Sequence, residues 1–181
     1  MAHSEDPDKV IDGIKTRKEI DLPAAIVACQ DALEQYPDEA RFHYQLGAAL
    51  YYHASAGDVD AALNNLRAAS DRGYRQATFV LGYIYSLNDK VPQDLCRTGH
   101  LWQRTLSQGH PWSKFWFAKH QLNGSFKNCS FYVSRADIDR YVMSFAALDL
   151  DESAERRTDE LIALLKETRA EEARARANGN N

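Results

Sequence analysis

The sequence predicts an all-α protein, a short right-handed α-solenoid of about three helical hairpins with capping helices at the C-terminal end. Three observations support this. Apolar residues recur at helical spacing and never at strand spacing over a useful length. Prolines and glycines separate the apolar stripes, and the pattern repeats about every 36 residues. With 181 residues, of which 44% are hydrophobic and 27% charged, the chain has the composition of a folded globular protein.

The apolar stripes set the order of the predicted helices. They cover residues 25–33, 42–50, 62–69, 79–85, 101–105 and 115–122. The residues that separate them, where helices stop or start, are Pro37, Gly57, Gly73, Pro92, Gly109 and Gly124. Asp38, Asp58 and Asp94 suit helix N-termini, because a carboxylate there opposes the positive end of the helix dipole.

Two kinds of glycine follow the repeat. Leu46-Gly47 recurs 35 residues later as Leu81-Gly82, and Ala118 takes the equivalent small-residue position 36 residues after that. Since glycine inside a helix costs about 1 kcal/mol against alanine, we expect these small residues to let a partner helix approach closely. Gly73 recurs at the same interval as Gly109, where a left-handed residue ends the first helix of each unit.

The second unit resembles a known family. Residues 62–73 are similar to the first helix and turn of a Sel-one-like repeat, and residues 76–85 to its second helix. These repeats are a subfamily of tetratricopeptide-like solenoids, and the likeness is to bacterial members. The first unit is closer to an ordinary tetratricopeptide repeat. The third departs from the family pattern, with Thr98, Leu106, Ser113 and Ala118 where alanine, alanine, alanine and glycine are usual.

The segments outside the repeats have simpler predicted roles. Residues 1–20 form an acidic lead-in to the array at 21–124, whose repeats span about 23–57, 58–93 and 94–124. Capping helices occupy 134–176, and their start at Ser134 and Asp137 resembles a capping box with Asp in place of Glu. Residues 177–181 are predicted to be a disordered tail.

Charge is distributed unevenly and excludes several functions. Residues 1–40 carry 10 acidic and 4 basic side chains, whereas residues 71–128 carry 3 acidic and 8 basic ones. The whole chain is net acidic at −4, which argues against nucleic-acid binding. There is no apolar run of about 20 residues, no secretory signal pattern and no glycine-rich phosphate loop. We therefore expect a cytoplasmic protein without membrane span or cofactor.

A repeat array of this kind implies a binding role. Solenoids present a concave groove built mainly from the first helices of successive units. The groove candidates are Asn64, Asn65, Arg67, Arg97, His100, Gln103 and Arg104. Because three of these are arginines, the expected ligand is an acidic peptide or another protein. The resemblance thus implies a non-catalytic adaptor or scaffold.

Two alternatives come from other residues. The three cysteines are widely spaced without CxxC, which predicts reduced thiols at Cys29 and Cys96 and no metal site. Cys96 and His100 lie four residues apart, so a cryptic thiol enzyme is one alternative. Self-association into a homo-oligomer, with the acidic N-terminus on a neighbour's basic third unit, is the other.

An aromatic segment leaves a further choice open. On a helix, Trp112, Phe115, Trp116 and Lys119 share one side. This face is either an exposed interaction patch or a surface that the C-terminal helices cover.

Overall fold

The computed structural model describes residues 20–55, 57–148 and 152–179, and these ranges are helical with no strand. The predicted all-α fold is confirmed. The described residues form eight helices: α1 (Leu22–Gln35), α2 (Ala40–His53), α3 (Asp58–Asp71), α4 (Arg75–Leu87), α5 (Leu95–Ser107), α6 (Pro111–Leu122), α7 (Arg135–Ala146) and α8 (Glu152–Gly179). The predicted acidic lead-in, apart from residue 20, lies outside the described residues.

Side-chain oxygens cap four of these helices, including Glu39 Oε1, which accepts from Arg41 N at 3.2 Å at the start of α2. The Asp21 carboxylate accepts a hydrogen bond from Ala24 N at 3.1 Å, and Asp94 accepts one from Arg97 N at 2.9 Å. Ser134 Oγ accepts from Asp137 N at 3.0 Å and donates to the Asp137 carboxylate at 2.6 Å. The capping box with Asp is therefore present at the start of α7. Each such cap contributes about 1 kcal/mol to helix stability.

The chain divides into two compact units at His110 and Pro111, inside the predicted third repeat. In the first unit, α2 packs against α1 and α3, and α4 packs against α3 and α5. Its core includes Leu66 and Ala77, which are fully buried. Gly73 and Gly109, with φ of +87° and +76°, follow α3 and α5 as predicted.

The mid-helix glycines allow helices to touch. A Cβ atom at Gly47 would lie 2.9 Å from the carbonyl oxygen of Ala62 on α3. A Cβ atom at Gly82 would lie 2.6 Å from Trp102 Nε1 on α5. The close approach that the sequence predicts at these two positions is confirmed, and it sets the spacing of successive helices.

The second unit contains α6, α7 and α8, with α6 packed against both of the others. Its core includes Phe115, Phe117, Phe145 and Leu161, each no more than 1% exposed. Helix α8 extends to Gly179 and so includes residues 177–179 of the segment that the sequence predicts to be a tail. The run of alanine, arginine and glutamate that precedes it favours helix continuation. Among the described helices, none combines the length and apolarity that a bilayer crossing requires.

Candidate functional site

The predicted groove residues lie on two helices of the first unit. Asn64, Asn65 and Arg67 are on α3, and Arg97, His100, Gln103 and Arg104 are on α5. Asn64, Arg97, His100 and Arg104 are exposed, whereas Asn65, Arg67 and Gln103 are half-buried. Their structural roles differ.

Arg67 and Arg97 are brought together by Tyr85 on α4. Arg67 donates one hydrogen bond to the Tyr85 hydroxyl at 2.9 Å and another to Asn64 Oδ1 at 3.0 Å. The Arg97 guanidinium lies 4.4 Å from the centre of the Tyr85 ring, a cation–π contact. Tyr85 itself is only 4% exposed. One buried tyrosine therefore fixes two cationic groups that are 30 positions apart in the sequence. We call Arg67, Tyr85 and Arg97 the two-arginine site.

The charge of this site is not balanced within the described residues. In residues 20–55, 57–148 and 152–179, neither Arg67 nor Arg97 forms an ion pair with a carboxylate. The Nε atom of Arg67 is buried and has no hydrogen-bond acceptor there. A half-buried cation without a counter-charge is costly, because burial removes water that would otherwise stabilise it. An anion placed near these groups would recover part of that cost.

Two groove candidates also form hydrogen bonds within the fold. Arg104 donates to the Ser70 carbonyl oxygen at 2.6 Å and so satisfies an acceptor at the C-terminal end of α3. Asn65 donates to the Ala61 carbonyl at 2.9 Å, and its Oδ1 lies 3.0 Å from Nδ1 of His43 on α2. Asn65 thus links α3 to α2. The sequence predicts that both residues line the groove, but it does not show which hydrogen-bond acceptors their side chains reach.

The sequence pattern does not single out Tyr85, because its helical position assigns it to the apolar stripe. The preceding repeat unit contains a comparable tyrosine, which is the one sequence feature that points to Tyr85. Tyr51 also follows its Leu-Gly pair within about one turn, one position further along than Tyr85 does. There the Lys90 ammonium lies 4.5 Å from the Tyr51 ring centre. A tyrosine with a cation on its ring therefore occurs in two successive units.

In the second unit, the aromatic side of α6 is covered. Trp112 and Phe115 are 4% and 1% exposed. Phe145 of α7 lies 5.4 Å from each of their rings, and the Arg157 guanidinium of α8 lies 4.9 Å from the Trp112 ring.

The rest of this side is also occupied. Trp116 and Lys119 are half-buried, and Lys119 pairs with Glu160 of α8 at 2.6 Å. The exposed-patch interpretation is thus wrong for Trp112 and Phe115. The C-terminal helices supply the covering that the other interpretation requires.

The cysteines correct a second expectation. Cys96 and Cys129 are disulfide-bonded, and Cys29 is a free, buried thiol. Burial raises the pKa of the Cys29 thiol, which disfavours the reactive thiolate. The predicted reduced thiol at Cys96 is therefore wrong, and a thiol enzyme based on Cys96 and His100 has no free nucleophile there. No cluster of potential metal ligands occurs among the described residues.

Comparison with known proteins supports the fold. The crystal structure of a Sel1 repeat protein from Oxalobacter formigenes matches with a TM-score of 0.53 and 18% sequence identity. The match covers 80% of this chain and 99% of that chain. No protein-family model and no curated protein matches. At this identity the likeness concerns the fold, and it confirms the helical-repeat solenoid that the resemblance predicted.

Proposed function

We propose that the protein is a non-catalytic interaction module, an adaptor or scaffold, that binds an acidic segment of a partner protein at the α3–α5 face of its first unit. The observation that carries the proposal is the two-arginine site, where two guanidinium groups contact Tyr85 and neither forms an ion pair with a carboxylate in the described part of the chain. Helical-repeat folds commonly present such surfaces to peptides and proteins.

The electrostatics favour an acidic ligand. The guanidinium group stays charged at all physiological pH values and offers several donors in a fixed plane, which suits carboxylate or phosphate oxygens. Arg67 is held by Asn64 and Tyr85 before any ligand arrives. Less conformational entropy is therefore lost when the ligand binds.

Affinity capture tests the proposal with matched variants. A tagged chain is used to capture partners from lysate of its source organism, which are identified by mass spectrometry. The test variant is Arg67→Glu/Arg97→Glu, and the control is Arg156→Glu/Arg174→Glu. The control makes the same change in net charge at two exposed arginines outside the two-arginine site. Circular dichroism confirms that both variants are folded.

The expected result is a defined partner that the wild type and the control retain and the test variant loses. High salt should also release it, because exposed charge interactions are screened. A partner retained equally by all three chains would overturn the proposed surface. Recovery of untagged copies of the same chain would instead favour self-association into a homo-oligomer.

The compartment is tested separately. The sequence pattern predicts a cytoplasmic location in a bacterial cell, whereas disulfide-bonded Cys96 and Cys129 favour an oxidising compartment. Cell fractionation of the source organism distinguishes the two.

A further inference from the structure

We propose that the two-arginine site binds a phosphate monoester, such as a phosphorylated serine or threonine on the partner. This inference rests on the proposed function, because it names the chemical group at which the partner is anchored. The site combines one exposed guanidinium, on Arg97, with one half-buried guanidinium, on Arg67, around a single tyrosine.

The charge of the site favours phosphate over carboxylate. Arg67 and Arg97 together carry two positive charges, and no carboxylate in the described ranges pairs with either. A phosphate monoester carries between 1.5 and 2 negative charges at about pH 7 and presents three acceptor oxygens. A carboxylate carries one charge and would leave one guanidinium without a counter-charge.

The donors are also held in advance. The Tyr85 hydroxyl and Asn64 Oδ1 fix the Arg67 guanidinium, and the Tyr85 ring fixes that of Arg97. Bidentate binding of phosphate by arginine depends on this kind of planar, oriented fork. Tyr85 acts as a positioning residue, because its buried side chain orients both cations.

Other basic groups in the unit are less suitable. Arg104 donates to the Ser70 carbonyl, Arg72 pairs with Asp38, and the Lys90 ammonium donates to the Tyr51 carbonyl at 2.6 Å. Arg104 and Lys90 thus each bind a backbone carbonyl of a helix elsewhere in the unit, and Arg72 has a carboxylate partner. Arg67 and Arg97 differ from them because both side chains contact the same buried tyrosine, Tyr85, and among the described residues neither bonds to a backbone carbonyl or a carboxylate.

The test is a nuclear magnetic resonance titration of the folded, full-length chain. The signals of arginine Nε–H groups are followed while N-acetyl-O-phosphoserine amide is added at constant ionic strength near pH 7.5. N-acetyl-aspartate amide is titrated in a parallel sample. The Arg72 and Arg156 signals serve as internal references, because these arginines lie outside the site.

The expected result is saturable shifts at Arg67 and Arg97 with the phosphoserine probe, and at least about tenfold weaker binding of the aspartate probe. Equal affinity for the two probes would overturn the phosphate assignment. Shifts of equal size at all arginines, without saturation, would show that no site exists.

A tyrosine variant tests the positioning role. Tyr85→Phe keeps the ring beneath Arg97 but removes the hydroxyl that holds Arg67. It should weaken phosphoserine binding by about tenfold and reduce the response of Arg67 more than that of Arg97. Tyr132→Phe removes a hydroxyl from a side chain that is 86% exposed in the other unit and should leave binding unchanged. Unchanged binding in Tyr85→Phe would contradict the positioning role.

The two proposals fail in different ways. If the phosphoserine probe does not bind but the captured partner still requires Arg67 and Arg97, the phosphate assignment is wrong and the interaction role stands. If the probe binds but partner capture is insensitive to both arginines, the site is correct and the proposed interaction surface is wrong.

Discussion

The substitution Gly82→Ala should destabilise the first unit, although alanine is the better helix former. Gly82 lies within α4, and a Cβ atom there would stand 2.6 Å from Nε1 and 2.7 Å from Cδ1 of Trp102. Trp102 is fully buried on α5, and its Nε1 donates to the Phe79 carbonyl at 3.1 Å. The indole has little room to move without losing this bond.

The opposing contributions can be compared directly. Replacing glycine by alanine in a helix interior stabilises by about 1 kcal/mol. Overpacking a rigid core costs about 1–3 kcal/mol, and leaving the buried Trp102 donor unsatisfied costs about 1–3 kcal/mol more. We expect Gly82→Ala to lower the free energy of unfolding by about 2–3 kcal/mol.

Urea unfolding followed by circular dichroism measures this loss, and a double-mutant cycle identifies its cause. Trp102→Phe removes the Nε1 atom that lies closest to the new methyl group. In that background Gly82→Ala should cost at least about 1 kcal/mol less. A stabilising effect of Gly82→Ala alone, or an identical cost in both backgrounds, would refute the reasoning.

Three further predictions follow from the same structure. Gly47→Ala should cost up to about 2 kcal/mol in urea unfolding, because overpacking against the Ala62 carbonyl 2.9 Å away costs about 1–3 kcal/mol and alanine's helix preference offsets about 1 kcal/mol; a stabilised protein would contradict the close approach. Burial, with a smaller effect of Lys119, lowers the pKa of His120 to about 4. Since the unfolded chain takes up this proton near pH 6.5, stability should fall by up to about 3 kcal/mol between pH 6.5 and 4, and much less in His120→Gln. Protein purified without reductant should show one reactive thiol after denaturation, Cys29, and three after reduction; three without reduction would contradict the disulfide.

The features that the sequence predicted well are local. Asp94 caps α5 and Ser134 caps α7 through neighbours three residues away, so the pattern of a few residues specifies each cap. Gly73 and Gly109 adopt positive φ at the ends of α3 and α5 for the same reason. The repeat extends this success to Gly47 and Gly82, because equivalent positions make equivalent helix contacts.

The features that it predicted poorly depend on contacts between distant residues. Trp112 and Phe115 form an apolar stripe that is compatible with either exposure or burial, and the covering residues Phe145 and Arg157 lie 30 or more positions away. The disulfide bonding of Cys96 was also not predictable from nearby residues, because no second cysteine lies at a short, characteristic spacing from it. In both cases the deciding partner belongs to another helix or loop.

In the candidate site, the helical positions follow from the local sequence pattern, whereas the side-chain contacts depend on residues that are distant in the sequence. Helical periodicity placed Arg67, Arg97 and Arg104 on the first helices of their units, and the structure agrees. Periodicity does not show which acceptors each side chain can reach. Arg104 reaches Ser70 at the end of α3, so replacing it would disturb helix packing as well as any ligand contact.

A binding test that replaced Arg67 and Arg104 together would therefore mix a loss of stability with a loss of affinity. Arg97 is the better partner for Arg67, because its guanidinium rests on the Tyr85 ring and holds no helix end in place. In a repeat protein many polar side chains connect neighbouring units. Replacing such a side chain changes the stability of the fold as well as the binding of a ligand. Of the three arginines of the predicted groove, Arg67 and Arg97 meet at Tyr85, whereas Arg104 connects α5 to the end of α3, so the first two are the better pair to replace in a binding test.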